Sequence, residues 1–264
     1  MKRMEKYIRV HYRNRVRYAL VEGEWLHLMD AGNFPDIRRS GQKVPISEID
    51  EILSPLPRGR ILGIGRNYMR PEFTEKDIPI VPKVFLKAES SVILDGEDIV
   101  LTPMNRDVIC EPEIAFLIGK TGARIPLEQA MDYVAGYTVI NDVTDRALLQ
   151  EDGGEWTRGK SMDTFLPVGR EIVTGINPFH LAVYCEINGE KKSEGNTGDM
   201  IFDIPHLIHF ISHFMKLKAG DLILTGTPRG VPVCAGDRVK IVVEDVGKVE
   251  NTVRFDDTEW CLQQ

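Results

Sequence analysis

Short apolar stretches separated by glycine, proline or charged turns dominate the chain, and their length and spacing predict strands. Helical spacing is confined to a segment opened by Pro126, a segment from about Pro205 to Met215, and a shorter one after Asp142. Because strands and helices do not alternate regularly, a doubly wound parallel sheet is disfavoured. The pattern predicts an α+β fold that is predominantly β, with a few helices packed on the strands. After residue 58 the predicted strands cover residues 60–64, 84–87, 113–118, 136–141, 181–187, 222–225, 238–243 and 247–254.

The first 57 residues have a pattern of their own. Alternating polar and apolar positions start at Tyr7 and Arg17, and a glycine turn at Gly23 joins the second of these runs to a third. A turn-rich connector with two prolines follows at 54–59. These features predict a small β-rich N-terminal domain over 1–57 and a main domain over 58–264.

Composition narrows the class of protein. The 264 residues are 42% hydrophobic and 28% charged, which is typical of a folded globular chain, and the net charge of −7 disfavours nucleic acid as a partner. No targeting signal and no apolar run of about 18 residues is present, so neither export nor a membrane partner is expected. Four cysteines without a CxxC pair fit a cytoplasmic protein rather than a disulfide scaffold or zinc ribbon: Cys110, Cys185, Cys234 and Cys261.

Three carboxylates stand at the ends of two predicted strands. Glu111 and Glu113 have the period-two spacing that turns both side chains the same way, at the entrance of a strand that is apolar on both faces. Asp142 ends a second apolar strand. One interpretation leaves the glutamates in solvent and makes Asp142 a helix cap. The other joins all three into an oxygen-ligand set for a hard ion, Mg²⁺ or Mn²⁺.

Further candidates lie on a loop, a strand end and a glycine-rich turn. Lys160 follows a glycine that permits close backbone approach, and Lys87 ends an apolar strand, although most lysines are solvated surface groups. Thr225 and Thr227 flank a glycine in a turn able to bind a small carboxylate. Three histidines share one face of the helix near 205–215, but the opposite face is aliphatic, so we expect them to face outward.

Taken together in order, seven motifs resemble the fumarylacetoacetate hydrolase family, over about residues 58–255. No single motif is specific, whereas the ordered set is. The motifs are Gly65-Arg-Asn-Tyr68, Val84-Phe-Leu-Lys87, Glu111-Pro-Glu113, Asp132-Tyr-Val-Ala-Gly-Tyr-Thr138 leading to Asn141-Asp142, Trp156-Thr-Arg-Gly-Lys-Ser161, Gly195-Asn-Thr197 with Asp199-Met-Ile-Phe202, and Leu224-Thr-Gly-Thr-Pro228.

The resemblance implies a mixed β-roll catalytic domain with a small N-terminal domain, usually as a homodimer. It also implies a metal ion, Mg²⁺ or Mn²⁺, and a small 2-oxo, 2,4-dioxo or 2-hydroxy-dienoic acid as substrate. Family reactions include C–C hydrolysis, isomerisation and decarboxylation. The implied metal ligands are Glu111, Glu113 and Asp142, and the residues implied to face the substrate are Lys160, Lys87, Arg66 and Thr227.

One departure changes the expected chemistry. Many family members carry a histidine and, three residues on, a glutamate that activate water for hydrolysis; here Pro71 and Thr74 occupy those positions. Glu72 and Glu75 lie nearby in the 69–80 loop, which we expect to border the pocket and to be more mobile than the strands, and either is a candidate general base. An enzyme acting through a metal-stabilised enolate, most like 2-hydroxyhepta-2,4-diene-1,7-dioate isomerase, is therefore the leading hypothesis. A C–C hydrolase and a catalytically silent, metal-stabilised binding protein are the alternatives.

Overall fold

The computed structural model describes residues 3–30, 34 and 37–258. Strands account for most of the regular structure, which confirms the predominantly β fold class. Five strands form the N-terminal region: β1 (Glu5–Tyr12), β2 (Arg15–Glu22), β3 (Trp25–Met29), β4 (Arg39–Pro45) and β5 (Glu51–Leu53).

The rest of the described chain carries sixteen strands. All eight strands predicted after residue 58 are present, with ends that differ by two residues at most. The strands are β6 (Ile61–Gly65), β7 (Lys83–Lys87), β8 (Val92–Leu94), β9 (Asp98–Leu101), β10 (Val108–Cys110), β11 (Pro112–Ile118), β12 (Val134–Asn141), β13 (Thr144–Asp145), β14 (Leu166–Val168), β15 (Ile172–Thr174), β16 (Ala182–Ile187), β17 (Glu190–Asn196), β18 (Leu222–Leu224), β19 (Val231–Pro232), β20 (Arg238–Val243) and β21 (Gly247–Phe255).

Helices are few and short in the described residues. The α-helices are α1 (Arg146–Glu151), α2 (Thr157–Lys160) and α3 (Ile204–Phe214). The segment after Pro126 forms a 3₁₀ helix, Leu127–Tyr133. Further 3₁₀ turns cover Ile46–Glu48, Glu89–Ser91 and Thr197–Asp199. No helix of the described chain is long and apolar enough to cross a membrane.

Two large sheets enclose the main core. One has thirteen strands with the central order β4-β3-β2-β1-β15-β12-β11-β18-β6-β7, and the other has five, in the order β17-β16-β20-β21-β9. Strand β11 is buried at all seven positions, as its two apolar faces predict. Its Ile114, Phe116 and Ile118 belong to the core shared with β16 and β20, while Ala115 and Leu117 join a second core on the opposite face.

The N-terminal strands extend the same large sheet. Strand β1 pairs antiparallel with β15, in a register that places Tyr7 opposite Ile172. The N-terminal region therefore shares backbone hydrogen bonds with the main domain, and the division between residues 57 and 58 stays a prediction. The turn at Gly23 (φ +63°) connects β2 and β3, as predicted.

The aliphatic face of α3 is buried, and His206 and His213 are exposed, as predicted; His209 is half-buried, with Nδ1 2.8 Å from the carbonyl oxygen of Ile125. Leu207, Ile208 and Ile211 are fully buried. His206 is within 2.6 Å of the Asp203 carboxylate, and His213 Nδ1 is 2.7 Å from a backbone carbonyl of its own helix. Thiols are free at Cys110, Cys185 and Cys234; Cys261 lies outside the described residues.

Candidate active site

Strand pairing brings the three predicted carboxylates to one edge of the sheet. Strands β11 and β12 are antiparallel, with Pro112 opposite Asn141, so the start of β11 lies beside the end of β12. The Asn141 side chain accepts a hydrogen bond from the Glu111 backbone at 2.9 Å, which fixes the junction. Oxygen atoms of Glu111, Glu113 and Asp142 lie within 4.8 Å of one another.

Two lysines contact this cluster from opposite sides of Asp142. Lys160 Nζ donates to Glu111 Oε2 and to Asp142 Oδ2, both at 2.5 Å. Lys87 Nζ donates to Asp142 Oδ1 at 2.5 Å and to the carbonyl of Val143 at 3.0 Å. Both ammonium groups are almost completely shielded from solvent.

Burial and charge set the protonation of these groups in different directions. Burial opposes ionisation of Asp142, but Lys160 and Lys87 outweigh it and lower the pKa of that carboxyl. Burial also opposes the charged form of Lys160, yet Asp142, Glu111 and Glu113 outweigh it and raise the pKa of its ammonium. The pKa of Glu113 is raised well above its usual value, by burial first and then by the negative charge of Asp142.

A metal ion fits this cluster because one of its three carboxylates, Glu113, has no ammonium group in contact with it. Glu113 is 2% exposed and accepts a hydrogen bond from Gly226 N at 2.7 Å, but neither lysine contacts it. A third carboxylate is thus buried beside two others without an ammonium of its own. An all-oxygen set with excess negative charge suits a divalent hard cation. Glu111, Glu113 and Asp142 are the residues able to hold it.

A cavity of about 800 Å³ opens above the cluster. Glu111, Glu113, Lys160 and Thr227 line it, as do Arg66 and Glu72. Thr227 Oγ1 is buried and has no hydrogen-bond partner among the described residues, so it can serve a bound molecule. Thr225 is different, because its hydroxyl donates to the carbonyl of Ile114 at 2.8 Å.

Three of the predicted site residues are not among those that line the cavity: Asp142, Lys87 and Glu75. Lys87 is fully buried behind Asp142, which it contacts directly. Glu75 is exposed on the 69–80 loop. The roles of all nine predicted residues stay predictions. The loop itself borders the cavity through Arg70 and Glu72.

Aromatic residues that the sequence analysis did not single out form one wall. Trp156 lines the cavity, and its ring centre lies 5.0 Å from that of Phe85, with the two ring planes tilted by 57°. Lys160 Nζ lies 5.0 Å from the Phe85 ring centre. Gly63 and Gly65 make room for them, since a Cβ at either position would come within 2.0 Å of a ring carbon. Alternate glycines on β6 are the sequence signal that points to this wall.

Arg66 adopts an uncommon backbone conformation at the mouth of the cavity, with φ +56°. The next residue holds it there: the Asn67 side chain donates to the carbonyls of Phe202 and Thr225 and accepts from Phe202 N. The turn is therefore fixed by a buried amide, while the arginine side chain stays exposed beside the cavity.

The fold and the site define a β-rich protein with a carboxylate–lysine cluster beneath a polar cavity. Residues 60–254 match the family described as fumarylacetoacetate (FAA) hydrolase C-terminal, and residues 5–55 match the family described as Rv2993c-like, N-terminal. The first match covers well over half of the chain. The chain belongs to the fumarylacetoacetate hydrolase family, as its motifs predicted.

Relatives of assigned function include two mitochondrial proteins. The chain is 40% identical over 191 residues to oxaloacetate decarboxylase of Dictyostelium discoideum, covering 69% of this chain and 87% of the relative. It is 36% identical over 225 residues to human oxaloacetate tautomerase FAHD2A, covering 80% and 71%.

Solved structures of similar fold carry related names. The 2-hydroxyhepta-2,4-diene-1,7-dioate isomerase of Mycobacterium marinum superposes with a TM-score of 0.87 at 32% identity, over 96% of this chain and 100% of that one. The fumarylpyruvate hydrolase of Pseudomonas aeruginosa, in complex with Mn²⁺ and pyruvate, gives a TM-score of 0.69 at 27% identity, over 78% and 93%. The predicted homodimer stays a prediction.

Proposed function

We propose that this chain is a divalent-metal-dependent enzyme that forms the enolate of a 2-oxo acid, and so catalyses its keto–enol tautomerisation or its decarboxylation. The observation that carries the proposal is the placement of the Lys160 ammonium, 2.5 Å from two carboxylates at the base of the cavity. Similarity to an oxaloacetate tautomerase and an oxaloacetate decarboxylase supports the substrate class.

Lys160 is the group suited to stabilise the charge that develops on the 2-oxo oxygen. Its ammonium remains protonated at neutral pH, and the shielded position strengthens its field. Thr227, whose hydroxyl has no partner among the described residues, and Arg66 both line the cavity, and we assign them to the carboxylate next to the oxo group. A divalent ion on Glu111, Glu113 and Asp142, Mg²⁺ or Mn²⁺, would polarise the 2-oxo group as a Lewis acid.

Glu72 is the candidate for moving the proton. In tautomerisation it would take a proton from C3, the C–H electron pair would form the C2–C3 double bond, and the 2-oxo oxygen would then accept a proton. In decarboxylation the bond between C3 and the departing carboxylate would break instead, CO₂ would leave, and C3 would take the proton. Glu72 lines the cavity whereas Glu75 does not, which favours Glu72 as the base.

Enolate chemistry suits this chain better than hydrolysis, because neither tautomerisation nor decarboxylation needs an activated water, whereas hydrolysis does. Pro71 and Thr74, at the positions where family hydrolases carry histidine and glutamate, have no side-chain group that accepts a proton at neutral pH. C–C hydrolysis and silent binding are the two alternatives against which the proposal is tested.

The test uses the whole chain with oxaloacetate and a series of added ions. Enol formation is followed by its ultraviolet absorbance and decarboxylation by the appearance of pyruvate, each with Mg²⁺, with Mn²⁺ and with a chelator. We expect the chain to accelerate either enol formation or decarboxylation, and we expect this acceleration to disappear when the ion is removed by the chelator. Cleavage of a 2,4-dioxo acid without enolisation of oxaloacetate would favour the hydrolase, and no turnover of either would favour a binding protein.

A further inference from the structure

The cavity wall carries far more positive charge than a single carboxylate head group requires. Six basic side chains line it against three acidic ones. The two glutamates of the carboxylate cluster and Lys160 lie at the base of the cavity, so five basic groups remain around its sides and mouth. The basic residues are Arg66, Arg70, Lys83, Arg146, Lys160 and Arg229.

Only some of these cations are already engaged by the protein. Arg146 donates to Asp107 at 2.6 Å, and Lys83 lies over the Trp156 ring at 4.3 Å. For Arg66, Arg70 and Arg229, no carboxylate of the described chain lies within ion-pair distance. Of these three, Arg70 lies 5.7 Å from the centre of the Phe73 ring, and Arg66 is assigned above to the head carboxylate, which leaves the Arg229 guanidinium available.

Arg229 has the best-defined position of the three relative to the carboxylate cluster. It belongs to the turn 226–230, which begins where Gly226 N donates to Glu113 and ends at Gly230, whose added Cβ would lie 3.5 Å from Glu111 Cγ. Pro228 stiffens the turn and packs so closely on Gly195 that a Cβ there would lie 2.3 Å from its ring. The turn therefore crosses both glutamates, and Arg229 is its exposed residue.

We infer that Arg229 binds a second carboxylate at the far end of the substrate, and that the preferred 2-oxo acid is a dicarboxylate. This inference rests on the proposed function, which assigns the head of the substrate to Lys160 and Thr227. A guanidinium offers paired donors that match the geometry of a carboxylate. Arg229 is adjacent in sequence to Gly230, about 3.8 Å between Cα atoms, so its side chain starts beside the cluster, and it lines the same cavity.

The experiment compares acids of equal length with and without the distal carboxylate. Proton exchange at C3 in deuterium oxide is measured for 2-oxoglutarate against 2-oxopentanoate, and for oxaloacetate against 2-oxobutanoate. We expect the wild-type chain to prefer the dicarboxylates. Arg229→Gln should raise KM for them about 10-fold, with kcat and the monocarboxylate constants unchanged.

Two further measurements separate a specific contact from a general loss of charge. Arg146→Gln removes the same charge from the same cavity, at a residue held by Asp107, and should leave the preference for dicarboxylates unchanged. Oxalate has no distal group beyond the head, so its inhibition constant should be the same for Arg229→Gln and for the wild type. Arg229→Lys should restore part of the preference.

The outcomes distinguish this inference from the proposed function. Equal use of both acids by the wild type, or equal effects of Arg229→Gln and Arg146→Gln on the preference, would overturn the role of Arg229 while leaving enolate chemistry intact. Absence of exchange with every acid, together with no decarboxylation of oxaloacetate, would overturn the proposed function. Calorimetric binding of 2-oxoglutarate against 2-oxopentanoate would then decide the inference by itself: a dicarboxylate preference lost in Arg229→Gln supports it, and its absence rejects it.

Discussion

Replacing Lys160 with methionine removes the ammonium shared by two carboxylates at the base of the cavity. The methionine side chain is unbranched and of similar length, so the change is mainly one of charge. In the folded chain this ammonium is 2.5 Å from Glu111 and from Asp142, and the residue is 5% exposed. The Lys160→Met variant therefore isolates the electrostatic contribution of a single buried cation.

The expected loss of activity follows from that geometry. Removing one fixed electrostatic contact to developing charge in a water-excluded site typically lowers kcat by about 10²- to 10³-fold. Removing one partner of a buried ion pair typically lowers the free energy of unfolding by about 3–5 kcal/mol, because the remaining charge is uncompensated. Here we expect a smaller loss, for two reasons. Asp142 keeps Lys87 at 2.5 Å, and the Glu111 side chain is 14% exposed and so can be hydrated.

The assay measures steady-state turnover of oxaloacetate together with calorimetric binding of Mn²⁺. Because a divalent ion would use the carboxylates that Lys160 contacts, the variant should bind Mn²⁺ at least as tightly as the wild type. Lys83→Met is the matched control: it makes the same substitution in the same cavity, at an exposed lysine that contacts an aromatic ring and no carboxylate. Its kcat should change only a few-fold.

Three results would refute this reasoning. A Lys160→Met enzyme with near-normal kcat would show that the ammonium does not stabilise the developing charge. A loss of Mn²⁺ binding in that variant would show that Lys160 supports the metal cluster rather than opposing it. An equal loss of kcat in Lys83→Met would mean that the total charge of the cavity matters, not the position of one cation.

Three further predictions concern other groups. Glu113→Gln should weaken Mn²⁺ binding by at least about 10-fold in calorimetry, because it removes the carboxylate that neither lysine contacts; affinity equal to that of the wild type would exclude Glu113 as a ligand. Glu72→Gln should slow proton exchange at C3 of 2-oxoglutarate by about 10²-fold, while Glu75→Gln should not; equal rates in both variants would place the base elsewhere. Asp221→Ala should lower the free energy of unfolding in urea by about 3 kcal/mol, since this buried carboxylate accepts hydrogen bonds from the Arg60 backbone and guanidinium; a change within experimental error would count against that role.

The sequence carries strong information where burial and chemistry repeat along one strand. Continuous apolar residues on both faces predicted that β11 is buried on both sides, and all seven positions are. Pro112 has no backbone N–H to donate, and the strand begins there. Glu111 and Glu113 at that entrance, with Asp142 at the end of the next long strand, pointed to one cluster because side-chain direction alternates with a fixed period.

The pattern of apolar and polar residues predicts less well where an element is very short or where a single turn determines its conformation. The segment after Pro126 has helical spacing, but it forms a 3₁₀ helix, Leu127–Tyr133, and then passes directly into β12. The two-residue strands β13 and β19 were not predicted, because so few positions show no periodicity, although the three-residue strand β18 was. The helix after Asp142 is capped by Asp145, whose carboxylate accepts hydrogen bonds from Ala147 N and Leu148 N.

Tertiary structure alone decided which cations surround the site. The sequence singled out Lys87 at the end of an apolar strand and Lys160 after a glycine, but only the structure shows that Lys87 is buried against Asp142 while Lys160 lines the cavity. Arg229 lies in a short turn, and the sequence of that turn does not show which way it faces. The hydrogen bond from Gly226 N to Glu113 and the close approach of Gly230 to Glu111 place the turn at the cavity. Alternation and burial are encoded residue by residue, and so the sequence determines strands and their buried faces. Which charged side chains meet depends on how distant strands pair and how turns between them are packed, and only the folded chain fixes that.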